Sequence, residues 1–298
     1  MRFIVMFLSL AFSACVLGAP VPFEIHVLDR GATPRTLYEY APVAGTKESI
    51  TVRVEHDQKI AMGAIEREMI LPLTVARADL VVDGAPLASG VGASVTLEEM
   101  SVEARDGVPE GLLPLIEQAL ENYQPVSGRY EASASGRVNS FTLDASTTVA
   151  GGLFDGAAQV SGALQSMMIQ LPEVPIGEGA EWTVTSQIPQ AQYTITQVTT
   201  YTLWKVDAHR LAVRVAINQS IPSNTPVSDV SGGWEGEVIE FYGQGGGTIA
   251  VALNQVSPLL SDLSIASRIV IEAEADGEKA RSAMASTTKV KMEGRLVK

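Results

Sequence analysis

Alternation of apolar and polar side chains with a period of two, repeated along most of the chain, makes antiparallel sheet the main element this sequence builds. Leu211, Val213, Val215 and Ile217 alternate with Ala212, Arg214, Ala216 and Asn218. Phe141, Leu143, Ala145, Thr147 and Val149 alternate with Thr142, Asp144, Ser146 and Thr148, and Ile50, Val52 and Val54 with Thr51, Arg53 and Glu55. Successive side chains of a strand point to opposite faces, so each run gives one face to a core and the other to water. Strands buried on both faces of a parallel sheet would read instead as unbroken apolar runs. Turn signals fall between the runs: Asp83-Gly84, Asp276-Gly277, and Asp207-Ala208-His209-Arg210 ahead of Leu211. Asp-Gly supplies the positive φ angles of a tight hairpin.

Two segments change period and predict helices. The first runs from about Pro109 to Tyr123, with Asp106 as cap and Leu112, Leu115, Ile116, Ala119 and Leu120 on one stripe. Pro114 is misplaced in its interior and predicts a kink or a late start. The second runs from about Ala157 to Ile169, with Val160, Leu164, Met167, Met168 and Leu171 as its stripe and Pro172 as its stop. Both stripes need a cover, and the sheet face is what is available. The expected fold is mainly β (α+β): a large curved antiparallel sheet or half-barrel with about two covering helices. A seam at Ala150-Gly151-Gly152 divides the body into a 20–150 half and a 151–298 half, each with one helix, in one continuous sheet.

The first residues read as an export signal covering 1–14. Met1-Arg2 is a short basic start, Phe3 to Phe12 is apolar but too short to span a bilayer, and Ser13-Ala14 precedes the single cysteine, Cys15. Small residues directly before Cys15 resemble a bacterial lipobox, in which the thiol is acylated and becomes the new N-terminus; Phe12 departs from the usual leucine. Ordinary signal peptidase cleavage after Gly18, with Val16 and Gly18 at the two small-residue positions, is the alternative. After either cut no cysteine remains for an intramolecular disulfide, so the core alone must hold the fold.

The chain has a net charge of −13, which disfavours nucleic acid and anionic membrane surfaces as partners, since phosphates call for Lys and Arg. The acidic residues from Glu98 to Glu121 read as a solvated face. His26, His56 and His209 read as surface residues at turns and strand ends, with no close-spaced pair and no H-E-x-x-H. There is no G-x-S-x-G elbow. No lysine follows Gly243, Gly245, Gly246 and Gly247 as a phosphate loop requires, so these glycines mark a bulge, a bend or a close backbone approach. Glu235 and Glu237 share a strand face and Glu240 points away, which reads as a wet sheet face. No cofactor or metal is expected.

The segment Leu171-Pro-Glu-Val-Pro-Ile-Gly-Glu-Gly-Ala-Glu-Trp182 is the most motif-like stretch. It resembles the leucine-proline, proline, glycine-x-glycine, tryptophan box of a family of uncharacterised bacterial secreted proteins and lipoproteins, over roughly residues 157 to 256. That family has no established activity, so the resemblance implies export and no catalytic residue. In its parts alone (leader, long strands, two covering helices), the chain is also similar to the half-barrel lipoprotein carriers of the LolA, LolB and LppX-like families.

These readings favour a non-enzymatic cell-envelope or periplasmic protein that binds a hydrophobic or lipid ligand, membrane-anchored if Cys15 is acylated. The residues expected to contact the ligand are Val160, Leu164, Met167, Met168, Trp182 and Trp204; methionine suits adaptable apolar pockets. A tethered interaction module is the second reading and a secreted hydrolase the third. Expressed with its own leader in a bacterial host, the chain should incorporate labelled fatty acid, and Cys15→Ser should abolish the label. Labelling that survives the substitution would remove the lipobox reading.

Overall fold

The computed structural model describes residues 23–62, 65–83, 90–121, 123–143, 156–190, 192–228, 235–275 and 278–297. The first half holds strands β1 (Phe23–Asp29), β2 (Lys47–Met62), β3 (Ile65–Ile70), β4 (Leu73–Val82), β5 (Gly90–Glu103), β6 (Val126–Ser133) and β7 (Val138–Leu143). The second holds β8 (Glu181–Pro189), β9 (Thr194–Asp207), β10 (Arg210–Ser220), β11 (Thr225–Ser228), β12 (Glu235–Ala252), β13 (Pro258–Ala275) and β14 (Glu278–Val297). Helix α1 (Leu112–Leu120) lies against β5, and α2 (Gly156–Gln165) against β2.

All 14 strands form one antiparallel sheet, in the order β1-β8-β9-β10-β12-β13-β14-β2-β4-β5-β6-β7, with β11 added beside β12 and β3 beside β2. The two halves of the chain meet twice: β1 pairs with β8, and β14 pairs along nearly the whole of β2, from Val297–Lys47 to Ser282–Met62. The sheet is continuous through both junctions. The sheet is open: β1 and β7 end it and do not pair with each other among the described residues.

One face carries an apolar row from β2 to the β1 edge. Val54 of β2 stands opposite Val290 of β14, which faces Leu263 of β13, and the row continues through Gly247, Val215 and Tyr201 to Trp182 and Val27. Most of these side chains belong to a single large core with the buried residues around α2. Fully burying a side chain of this size contributes about 1.5–3 kcal/mol.

The box from Leu171 to Trp182 is architecture. The Leu171 amide donates to the Ser135 carbonyl, the Gly177 amide to Arg30, and Thr36 and Ile176 exchange both backbone bonds. A Cβ on Gly177 would strike the Ala32 carbonyl oxygen, so only glycine lets the 30–36 segment lie this close. Trp182 is fully buried, donates its indole N–H to the Gln170 carbonyl at 2.8 Å and stacks on Tyr201 with ring centroids 5.3 Å apart. Prolines and glycines set the turn, and tryptophan pins the next strand to the core.

Several expectations need correction. Helix α1 starts at Leu112, three residues later than Pro109, which puts Pro114 in the first turn where its missing N–H is harmless. Only part of the expected stripe is covered: Ile116 and Leu120 are buried, whereas Leu115 is 49% exposed. Helix α2 stops at Gln165, well before Pro172, and Met167 to Ile169 continue as irregular chain held by the Ile169 amide donating to the Tyr40 hydroxyl at 3.2 Å. The alternation from Phe141 is strand as far as it is described, to Leu143; 144–149 lie outside the described residues, as do Gly84 and the 276–277 turn. The hairpin at Ala208-His209 between β9 and β10 forms as expected.

Glu48 is a fixed point. It is fully buried at the start of β2, and its carboxylate accepts the amides of Val256 at 2.9 Å and Ser257 at 2.7 Å. That clamp ties the turn between β12 and β13 to the middle of the sheet. Removing it leaves two buried amides unpaired, each worth about 1–3 kcal/mol. Glu48→Ala should therefore lower unfolding free energy by about 2–6 kcal/mol in urea titrations, and a loss below about 1 kcal/mol would show that the clamp carries little.

Candidate functional site

The inward face divides into three bands along the long strands. Beyond the large core comes one transverse row of small and polar residues, each directly opposite the next: Ser186 (β8), Gln197 (β9), Gln219 (β10), Gly243 (β12), Ser267 (β13), Ser286 (β14) and Gln58 (β2). The next band is apolar again. Ile269, Ile271 and Ala273 of β13 pack with Val238, Ile195, Ile221 and Val227, and with Ile188, Tyr193, Phe241 and Met284. Residues at the tip of the β8–β9 hairpin thus touch residues of β13 and β14, three and four strands away. The sheet must curl for that to happen.

The row is largely paired within itself. The Ser267 and Ser286 hydroxyls share a bond of 2.9 Å, the Gln219 amide nitrogen donates to Gln197 Oε1 at 2.8 Å, and the Gln197 amide nitrogen donates to the Thr199 hydroxyl at 3.1 Å. Gln58 donates to the Met284 sulfur at 2.8 Å. Gln219 Oε1 is buried and accepts no hydrogen bond. One row further in, His56 Nδ1 lies 2.8 Å from the Thr288 hydroxyl.

A cleft opens in the outer apolar band, lined by Ile60, Tyr193, Ile269, Ile271, Ser282, Ala283 and Met284. Its space is about 390 Å³, counted out to the open mouth. It is a slot for something thin.

The six residues expected to touch ligand do not share one site. Val160, Leu164, Met167, Met168 and Trp182 are buried together in the large core. Trp204 stands on the opposite face, 46% exposed, with the Arg214 guanidinium 5.8 Å from its ring centroid. It is the extra residue of a bulge in β9, where Lys205 and Leu203 pair with the consecutive Ala212 and Val213. Sequence reasoning missed the cleft residues because each fits ordinary alternation. The available signal was Ser267 at a core-phase position between Ile265 and Ile269, in a strand that is apolar on either side of it.

The remaining candidates carry no chemistry of their own. Gly245 and Gly247 sit where a Cβ would meet the Ser264 and Asp262 carbonyl oxygens of β13, the close approach expected of them. Glu235 and Glu237 are opposite Glu274 and Glu272, and a bulge between Val238 and Glu240 returns Glu240 to that same outer face, against the expectation that it points away. No group of three or more metal-ligating side chains converges among the described residues. His26 is exposed beside Glu24 at 2.8 Å, and His209 is in its turn. His56 is a correction: it is buried within β2, not at a strand end, because β2 runs on to Met62.

No protein family model matches the sequence, and no curated protein matches it. Among solved structures, an outer membrane channel from Pseudomonas putida F1 aligns at a TM-score of 0.19 and 7% identity, covering 86% of this chain and 97% of that one. OccK8 (OprE) of Pseudomonas aeruginosa aligns at 0.20 and 8%, covering 87% of this chain and all of that one. Likeness at this level carries no argument about fold or function. No helix among the described residues is long and apolar enough to cross a membrane.

His56 makes the inner face pH-sensitive. Burial lowers its pKa, and the nearby Arg105 lowers it further. Arg105 itself is held by Glu55 and Asp57 and donates to the Leu71 carbonyl at 2.7 Å. A histidine kept neutral when folded binds its proton more readily when unfolded. Stability should therefore fall as pH drops below the unfolded value of about 6.5 and level off beneath the folded pKa. His56→Gln should flatten that slope in urea titrations across this window; an unchanged slope would assign the pH dependence elsewhere.

Proposed function

We propose that this chain is a non-enzymatic, exported cell-envelope protein whose curled sheet works as a half-barrel and holds a hydrophobic or lipid ligand against its inward face. The observation that carries the reading is the apolar cleft at the far end of that face, beside Tyr193 and Met284. Its lining is apolar and partly open, which is what a binding surface for a thin hydrophobic chain requires. The leader and the resemblance of the Leu171–Trp182 box to secreted bacterial proteins support export, and acylation at Cys15 would tether the body to a membrane.

A tethered interaction module is the second reading, favoured by the exposed Trp204 on the outer face. For the hydrolase reading, His56 is the buried histidine, and its partner is a threonine hydroxyl rather than a carboxylate.

Native mass spectrometry of the full-length chain, exported with its own leader in a bacterial host, tests the proposal. The expected result is a co-purifying lipid that is released on denaturation. Folded protein that is empty, and stays empty when incubated with envelope lipid extract, would move the assignment to the interaction module.

A further inference from the structure

The cleft and the polar row adjoin. Ile60, Met284 and Ile269 line the cleft, and each lies two residues along its strand, on the same face, from Gln58, Ser286 and Ser267 of the row. Two residues of strand span about 7 Å. A molecule lying in the cleft with its end towards the sheet centre therefore meets hydroxyl and amide groups within one residue pair of apolar contact.

The row also has spare capacity of a definite kind. Two serine hydroxyls sharing one bond leave one O–H donor unused, and Gln219 Oε1 is a buried acceptor with nothing to accept. Nothing ionic lies in the row itself, whose neighbour on β3 is Met69. Inward-facing positions of β8, β9, β10 and β13 carry no Lys, Arg, Asp or Glu, and the same holds for β12 from Phe241 to Val251 and β14 from Ala280 to Met292. On the core side of the row stands His56, with its pKa lowered, and on the outer side Arg67 of β3, exposed and opposite Ile60. A charged group brought into the row would lose its water and gain no counter-charge there, a costly exchange. The chain's charge of −13 adds a general penalty for anions.

We propose that the cleft and the Gln219–Ser267–Ser286–Gln58 row form one site for a single-chain amphiphile with an uncharged, hydroxyl-bearing headgroup, such as a monoacylglycerol. This rests on the hydrophobic-ligand reading above and narrows it. The tail lies against Ile269, Ile271 and Met284. The headgroup hydroxyls accept from the serine pair and donate to Gln219 Oε1. Anionic heads are disfavoured in the row, because the cation nearest to it on this face, Arg67, stands opposite Ile60 at the outer side of the cleft and not in the row.

The test uses the full chain and Nile red, an uncharged fluorescent hydrophobe, displaced by monolauroylglycerol, lauric acid and lauroyl-lysophosphatidylglycerol. Monolauroylglycerol should compete at least about tenfold better than either anionic lipid, the ratio expected of one or two net hydrogen bonds. In S286A/Q219L that advantage should disappear while Nile red binding stays within about twofold. Because the headgroup ranking is read on the unmodified protein, it stands even if that variant does not fold. Ile269→Trp, which fills the slot, should abolish Nile red binding. Nile red that binds and is lost in Ile269→Trp, with no headgroup preference, overturns the polar row as a headgroup site and leaves the hydrophobic-ligand reading intact. Tighter competition by the anionic lipids likewise overturns it. No Nile red binding, or binding indifferent to Ile269→Trp, overturns both.

Discussion

The bend of the sheet around β12 governs what the rest of the molecule can do. A sheet this wide cannot stay flat and bury one face, because the two short helices among the described residues are too small to cover it. The inward positions Gly243, Gly245 and Gly247 carry no side chain, and neighbouring strands close into the space: Val215 and Ile217 from β10, Leu263 and Ile265 from β13. A Cβ at Gly245 or Gly247 would collide with a carbonyl oxygen of β13. Glycine in a strand usually weakens it. Here that local cost is exchanged for curvature, and curvature lets Tyr193 and Ile195 reach Ile269 across the intervening strands.

Two anchors keep the curl from relaxing. Glu48 holds the β12–β13 turn from inside, and the Trp182 box knots the 30–36 segment onto β8 and β9. They differ in kind. The Glu48 clamp places a buried carboxylate where leaving it unpaired would be severe, so its geometry is specified by the penalty for losing it. The box works by shape: glycine permits close backbone approach, and a large aromatic fills what remains.

Much of this was legible from the chain. The alternation at Ile50–Val54 and Leu211–Ile217 fixed strand, face and antiparallel sense, since a one-residue slip would turn every apolar side chain to water. The turn at Ala208-His209 and the solvated acidic stretch from Glu98 to Glu121 also read correctly. The ends of the helices did not. Met167, Met168 and Leu171 keep a helical spacing, yet tertiary bonds from Tyr40 and Ser135 capture Ile169 and Leu171 before another turn can form. Trp204 was misread for a different reason: alternation from Tyr201 and Leu203 puts it on the outer face, and its residue type was weighed above its phase. His56 looked like a strand end because the polar run His56-Asp57-Gln58 interrupts β2 just where the transverse row crosses it.

That interruption is the point where fold and function readings meet. A buried polar row between two apolar bands forfeits the hydrophobic stabilisation that Val or Ile at those positions would contribute. Paired serines and glutamines recover part of it through hydrogen bonds, each worth about 1 kcal/mol net. They recover least at Gln219, whose carbonyl oxygen is left without a donor, a deficit of about 1–3 kcal/mol. Sheet architecture does not require the row, because the same registers would be filled equally well by the residues that flank it. A row that the fold does not need, set beside an open apolar slot, is most economically explained by a bound polar group that completes it.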